Sequence, residues 1–75
     1  MHSTEWPEEY LIRKEAYLDN NHQAIVVAAN GYKHSLGSDG GWVDVRWMGD
    51  AVVITTSSGM RIRYYGPYGS QREYI

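Results

Sequence analysis

From residue 24 onward the chain is cut into short apolar or alternating runs by turn-forming pairs and triplets, and that punctuation restricts it to antiparallel sheet. Ala24–Ala29 is an apolar run of strand length, followed by Asn30-Gly31. That pair is the strongest short hairpin signal, because both residues of such a turn reach positive φ. A return strand over Tyr32–Leu36 fits, and Gly37-Ser38-Asp39-Gly40-Gly41 reads as a loop. Trp42–Met48 alternates with period two, Gly49-Asp50 is a two-residue turn, and Ala51–Thr56 is the next strand. Ser57-Ser58-Gly59 turns the chain into Met60–Tyr65, and Gly66-Pro67-Tyr68-Gly69-Ser70 breaks the pattern. Arg72–Ile75 is either a short edge strand or a frayed end.

Turn length fixes register. A Gly49-Asp50 loop pairs Trp47 with Val52, Val45 with Ile54 and Val43 with Thr56. A two-residue Ser58-Gly59 turn would mix arginines with core residues. A three-residue Ser57-Ser58-Gly59 turn, with Gly59 left-handed, instead pairs Ile54 with Ile62 and Val52 with Tyr64. One face then carries Val43, Val45, Trp47, Val52, Ile54, Thr56, Met60, Ile62 and Tyr64. The other carries Trp42, Asp44, Arg46, Val53, Thr55, Arg61, Arg63 and Tyr65.

Residues 4–20 read as a helix. Pro7 suits a first turn, Glu8 and Glu9 follow where acids favour the helix dipole, and Glu9 and Arg13 stand four apart. Trp6, Tyr10, Leu11, Tyr17 and Leu18 share one arc of the helical wheel, with Lys14 intruding. The alternative is a strand with Tyr10, Ile12, Ala16 and Leu18 on one face and Asn20-Asn21 as a hairpin turn. The fold class expected is therefore α+β: an N-terminal helix on a five-stranded antiparallel β-meander, with partial closure into a small barrel as a variant. The second choice is all-β, with residues 9–19 as an extra strand.

At 75 residues the chain reads as a single domain, 1–75, with a small core and no cysteine to staple it. Self-association into a homo-oligomer is one compensation open to it. The formal net charge is −2, but residues 1–22 carry five acids against two bases, while residues 42–75 carry four arginines against three acids. There is no Phe, but there are 7 Tyr and 3 Trp, aromatics suited to half-buried rims and interfaces. No apolar run has the length of a membrane span, so no membrane association is expected. Met1–Pro7 has neither the basic nor the apolar region of a signal peptide, so the chain reads as cytoplasmic.

Four features bear on function. Arg46, Arg61 and Arg63, with Trp42 and Tyr65 on the same sheet face, combine forked cations with rings, as in protein hot spots and in base-stacking surfaces. The run Tyr64-Tyr65-Gly66-Pro67-Tyr68-Gly69 is a rigid aromatic turn whose Tyr68 is a candidate docking knob. His22, three residues after Asp19, and His34, beside Ser35, lack the spacing of a metal or catalytic site, and His2 is expected to be disordered. The glycines around Ser38-Asp39 lack the lysine of a phosphate loop. Gly41-Trp42-Val43-Asp44-Val45-Arg46 is similar to the core strand of bacterial SH3-type cell-wall-binding repeats. The second Gly-Trp strand of those repeats is missing, so nothing is carried over from them.

The expectation is a non-catalytic binding protein, an inhibitor or adaptor of the kind that phage and other mobile elements encode, with no cofactor and no metal. Its partner-binding residues would be Trp42, Arg46, Arg61, Arg63, Tyr65 and Tyr68, and its partner another protein. The alternative is a single-stranded nucleic-acid or nucleotide-binding module using the same face, against which the net negative charge weighs.

Overall fold

The computed structural model describes residues 4–75. His2, expected to be disordered, lies outside the described residues. Among those described, one short helix, α1 (Glu8–Arg13), precedes seven strands: β1 (Glu15–Leu18), β2 (Gln23–Val27), β3 (Lys33–Ser38), β4 (Trp42–Met48), β5 (Ala51–Thr56), β6 (Arg61–Tyr64) and β7 (Arg72–Tyr74). They form two antiparallel sheets, ordered β1-β2-β3 and β4-β5-β6-β7. This corrects the single five-stranded meander. The ladder is interrupted between β3 and β4, and β4 lies against β1 instead. No barrel closes.

The expected helix over 4–20 is six residues long. Pro7 caps it, accepting from the Tyr10 and Leu11 amides at 3.0 and 3.4 Å. Lys14 ends it with a left-handed φ of 48°. Arg13, expected to pair with Glu9, reaches forward to Glu15 at 2.7 Å. Beyond Lys14 the period becomes two. Ala16 and Leu18 pack on the core, while Tyr17 points outward beneath Lys33. Glu-Ala-Tyr-Leu has good helix propensity, but pairing with β2 outweighs the few tenths of a kcal/mol per residue that propensity supplies. The strand alternative was therefore correct for Glu15–Leu18. Its turn spans Asp19–His22, where the Asp19 carboxylate accepts from the Asn21 and Gln23 amides at 2.9 Å.

The β2–β3 turn also differs from expectation. Ala28 and Tyr32 close it, and Gly31 alone has positive φ, at 89°, while Asn30 accepts from the Tyr32 amide through its side chain. The β4–β5 and β5–β6 turns follow the sequence reading. Met48 pairs with Ala51, Ile54 with Ile62 and Val52 with Tyr64, and Gly59 is left-handed with φ 89°. One pair departs: Trp42, not Val43, lies opposite Thr56, because a bulge places Val43 as an extra residue before Asp44. The bulge moves Trp42 to the inner face and leaves Val43 53% exposed. Met60, also expected inside, is 47% exposed.

The inner faces of both sheets share one apolar cluster containing Ala24, Val26 and Ala28 from β2 and the segment after it, with Trp42, Val45, Val52, Ile54, Ile62 and Tyr64 from the second sheet. Trp6 and Tyr10 complete it. The central strands are buried on both faces. Val27 and Val53, which point away from this cluster, are each 2% exposed. Val53 lies between Arg46 and Arg63 in the ladder, where arginine stems cover apolar surface while their heads stay wet. No helix among the described residues is long and apolar enough to cross a membrane.

Candidate functional site

The expected arginine–aromatic face is only partly assembled. Arg46 on β4 and Arg61 and Arg63 on β6 share the outer face of the four-stranded sheet, with Val53 and Thr55 of β5 between them. Trp42 is absent from that face. It is 7% exposed and turned inward, so its assignment there is corrected. Arg46 donates to Asp44 at 2.9 Å, and that hydrogen bond and the carboxylate charge hold its guanidinium above the ordinary value. Arg63 donates to the Tyr65 hydroxyl at 3.3 Å, and Tyr65 in turn donates to Glu73 of β7. Arg63 also lies 3.9 Å from that carboxylate. Tyr65 is thus half-buried within a small polar network. Arg61 alone of the three has no ion pair or side-chain hydrogen bond among the described residues. The face carries less unbalanced positive charge than its arginine count implies.

A second region is a groove of about 520 Å³ where the end of β3 meets the β6–β7 margin. Leu36, Trp42 and Ile62 line its apolar part, and Met60, Arg72 and Tyr74 stand beside them. Among the described residues both β3 and β7 are terminal strands of their sheets, and side chains of both line the groove. The alternation in Arg72-Glu73-Tyr74 sends Glu73 to the outer face beside Arg63, while Arg72 and Tyr74 turn to the groove. Arg72 is held by a 3.0 Å hydrogen bond to the Tyr64 hydroxyl, which also keeps its guanidinium above the ordinary value. Tyr74 and Ile75 are each 58% exposed. Sequence reading found Trp42 but placed it on the wrong side, and it left β7 out of the site. The signal for β7 was its Arg-Glu-Tyr alternation.

The third region is an aromatic arc across both sheets. Tyr68, the proposed knob, is 64% exposed and meets His34 of β3 edge-on at 6.3 Å. His34 meets Tyr10 at 6.5 Å, and Tyr10 tilts against Trp6 at 5.3 Å. The His34 Nε2 lies 2.7 Å from the Pro67 carbonyl oxygen. Burial raises the Tyr10 phenol above its ordinary value, with Tyr32, Glu9 and Tyr68 adding to the effect. The second histidine among the described residues, His22, places Nδ1 2.9 Å from the Trp42 carbonyl and ties the β1–β2 turn to β4. Among the described residues no three His, Cys, Asp or Glu side chains gather where they could hold a metal ion.

Comparison with protein-family models, with curated proteins and with solved structures finds no match to this chain.

Proposed function

We propose that the chain is a small non-catalytic binding protein that acts by occupying a surface on another protein, as an inhibitor or adaptor. The observation that carries this reading is the groove lined by the terminal strands β3 and β7, floored by Trp42 and Ile62 and rimmed by the exposed Met60 and Tyr74. Methionine and tyrosine beside an open sheet edge are suited to holding an extended segment of a partner. The edge supplies main-chain hydrogen bonds and the side chains supply apolar contact. Of the residues named from sequence, Trp42 serves this groove from below and Tyr68 stands on the aromatic arc, while Arg46, Arg61, Arg63 and Tyr65 lie outside the groove, on the outer face of the four-stranded sheet.

Single-stranded nucleic-acid binding is the competing reading, favoured by Arg61 beside Thr55 and Arg46 in a trough on the outer face. The acids matched to Arg46 and Arg63, and the burial of Trp42, weigh against it.

The two are separated by one pair of variants. Met60→Glu with Tyr74→Ala is expected to release a co-purifying protein partner and to leave oligonucleotide binding unchanged. Arg61→Glu with Arg63→Glu is expected to leave the protein complex largely intact. If instead the arginine pair abolishes the only binding found, and that binding weakens steeply with salt, the nucleic-acid reading replaces this one.

A further inference from the structure

We propose that the free side of β7 takes an extended segment of the protein partner, and that an aspartate or glutamate of that segment sets its carboxylate on the Arg72 guanidinium. This rests on the protein-binding reading and specifies how the partner's chain is held and which side chain selects it.

The main chain of β7 is arranged for such a segment. The Tyr65 amide donates to the Gln71 carbonyl and the Ile75 amide to the Arg61 carbonyl, each at 2.9 Å. In antiparallel pairing the residues that bond the neighbouring strand alternate. Gln71, Glu73 and Ile75 therefore face β6, and the main-chain N–H and C=O groups of Arg72 and Tyr74 point the other way. Among the described residues no strand is hydrogen-bonded on that side. The side chains of the same two residues line the groove, beside Met60 and Ile62. One incoming strand would meet main-chain bonds and groove side chains together.

The charge in the groove selects the side chain. Arg72 is exposed and has no carboxylate within ion-pair distance among the described residues. Its guanidinium donates to the Tyr64 hydroxyl at 3.0 Å, which leaves most of its N–H donors for a ligand. The rings of Tyr64 and Tyr74 lie 6.0 and 5.5 Å from the guanidinium carbon, so the group is held in place before anything binds. The nearby acids are committed elsewhere. Glu73 turns to the outer face, where it meets Arg63 and Tyr65. Asp39 also lines the groove, but its Oδ1 accepts from the Gly41 amide at 2.7 Å and it makes no ion pair with Arg72. A guanidinium fork matches a carboxylate through paired N–H donors. Opposite charges facing one another on one side of a strand pair are favourable, so the carboxylate belongs across from Arg72.

The test is a titration of the full chain with the capped pentapeptide valine-threonine-glutamate-threonine-valine, which as a strand puts glutamate and both valines on one face, and with its glutamine counterpart. Binding is followed by NMR at the Arg72 Nε–H, the Tyr74 amide and the Trp42 indole. The glutamate peptide is expected to shift all three and to bind roughly two- to fivefold more tightly than the glutamine peptide, the range of an exposed ion pair. Arg72→Gln is expected to bind the two peptides equally, and Arg72→Lys to keep part of the preference. Arg72→Glu is expected to prefer the corresponding lysine peptide, a reversal that lost stability alone would not produce. Equal binding of the first two peptides by the unaltered protein, no binding of the glutamate peptide, a preference that survives Arg72→Gln, or shifts confined to Arg46, Arg61 and Arg63 would each overturn the assignment. The wider reading is tested separately. If Met60→Glu with Tyr74→Ala releases a co-purifying partner while the peptides bind alike, the carboxylate assignment fails and the protein-binding reading stands. Release of nothing by that pair of substitutions overturns the protein-binding reading itself.

Discussion

The His34 Nε2 sits 2.7 Å from the carbonyl oxygen of Pro67, joining the last strand of one sheet to the turn that follows the third strand of the other. The imidazole is at once a polar tie and a ring in the aromatic arc. His34→Ala is expected to lose both and to destabilise the protein by about 1–3 kcal/mol. His34→Phe keeps ring contact and gives up only the hydrogen bond, so its loss is expected to be smaller. Urea unfolding of the two variants checks the order. Equal losses would mean that the ring contacts contribute nothing.

Gly59 and Gly40 separate backbone strain from crowding. Neither has any atom within 4 Å of the position a Cβ would take, but Gly59 has φ 89° and Gly40 is not left-handed. Gly59→Ala is expected to cost about 1–2 kcal/mol through conformation alone. Gly40→Ala is expected to be neutral, or to stabilise by up to about 1 kcal/mol by restricting the unfolded chain. Thermal unfolding of the pair measures the difference directly.

Gly66 presents the opposite case. Its φ is not left-handed, yet a Cβ there would stand 2.4 Å from the Gln71 side chain. Gln71 cannot move aside without giving up the 3.0 Å bond its Oε1 accepts from the Tyr68 amide. Gly66→Ala is expected to cost about 1–3 kcal/mol. The double variant with Gln71→Ala should cost less than the sum of the two single changes, because the clash and the hydrogen bond involve the same side chain. Strict additivity in a denaturant cycle would refute the coupling.

Tyr10 introduces a dependence on alkaline pH. Burial, followed by the nearby Tyr32, Glu9 and Tyr68, raises its phenol above the ordinary value. The folded protein therefore holds this proton more tightly than the unfolded chain. The associated stability is complete below about pH 10 and is lost as pH rises from there through the folded value. Tyr10→Phe is expected to change stability little at neutral pH and to show a shallower decline above pH 10. Stability curves measured at several alkaline pH values, with phenolate absorbance recorded in parallel, test both halves.

The second sheet was largely legible in sequence because its turns are short and chemically explicit. Gly49 and Gly59 each leave one usable register, and both registers are observed. Two things hid the remainder. The β-bulge at Val43 has no glycine or proline to announce it, and one inserted residue exchanges the faces of everything before it, which is how Trp42 came to be assigned to the wrong surface. The break at Lys14 was masked by Glu-Ala-Tyr-Leu, whose local preference for helix is weaker than the pairing that β2 offers. The candidate site suffered accordingly. Arg61, Arg63 and Tyr65 were placed on the correct face. The contacts among Tyr10, His34 and Tyr68 join segments far apart in the chain, and no local pattern encodes those.

The indole of Trp6 is 3% exposed, and its Nε1 donates to the Tyr64 carbonyl at 3.0 Å, 58 residues further along the chain. The neighbouring Glu5 amide bonds the Tyr65 carbonyl. During synthesis, Trp6 therefore cannot find its seat until Tyr64 has been made and its strand has paired. Until then a tryptophan and the open end of the apolar cluster are left uncovered. A nascent chain halted before Tyr64 would be a substrate for chaperones and proteases, and the arrival of the Tyr64 strand would be the event that seals the interior.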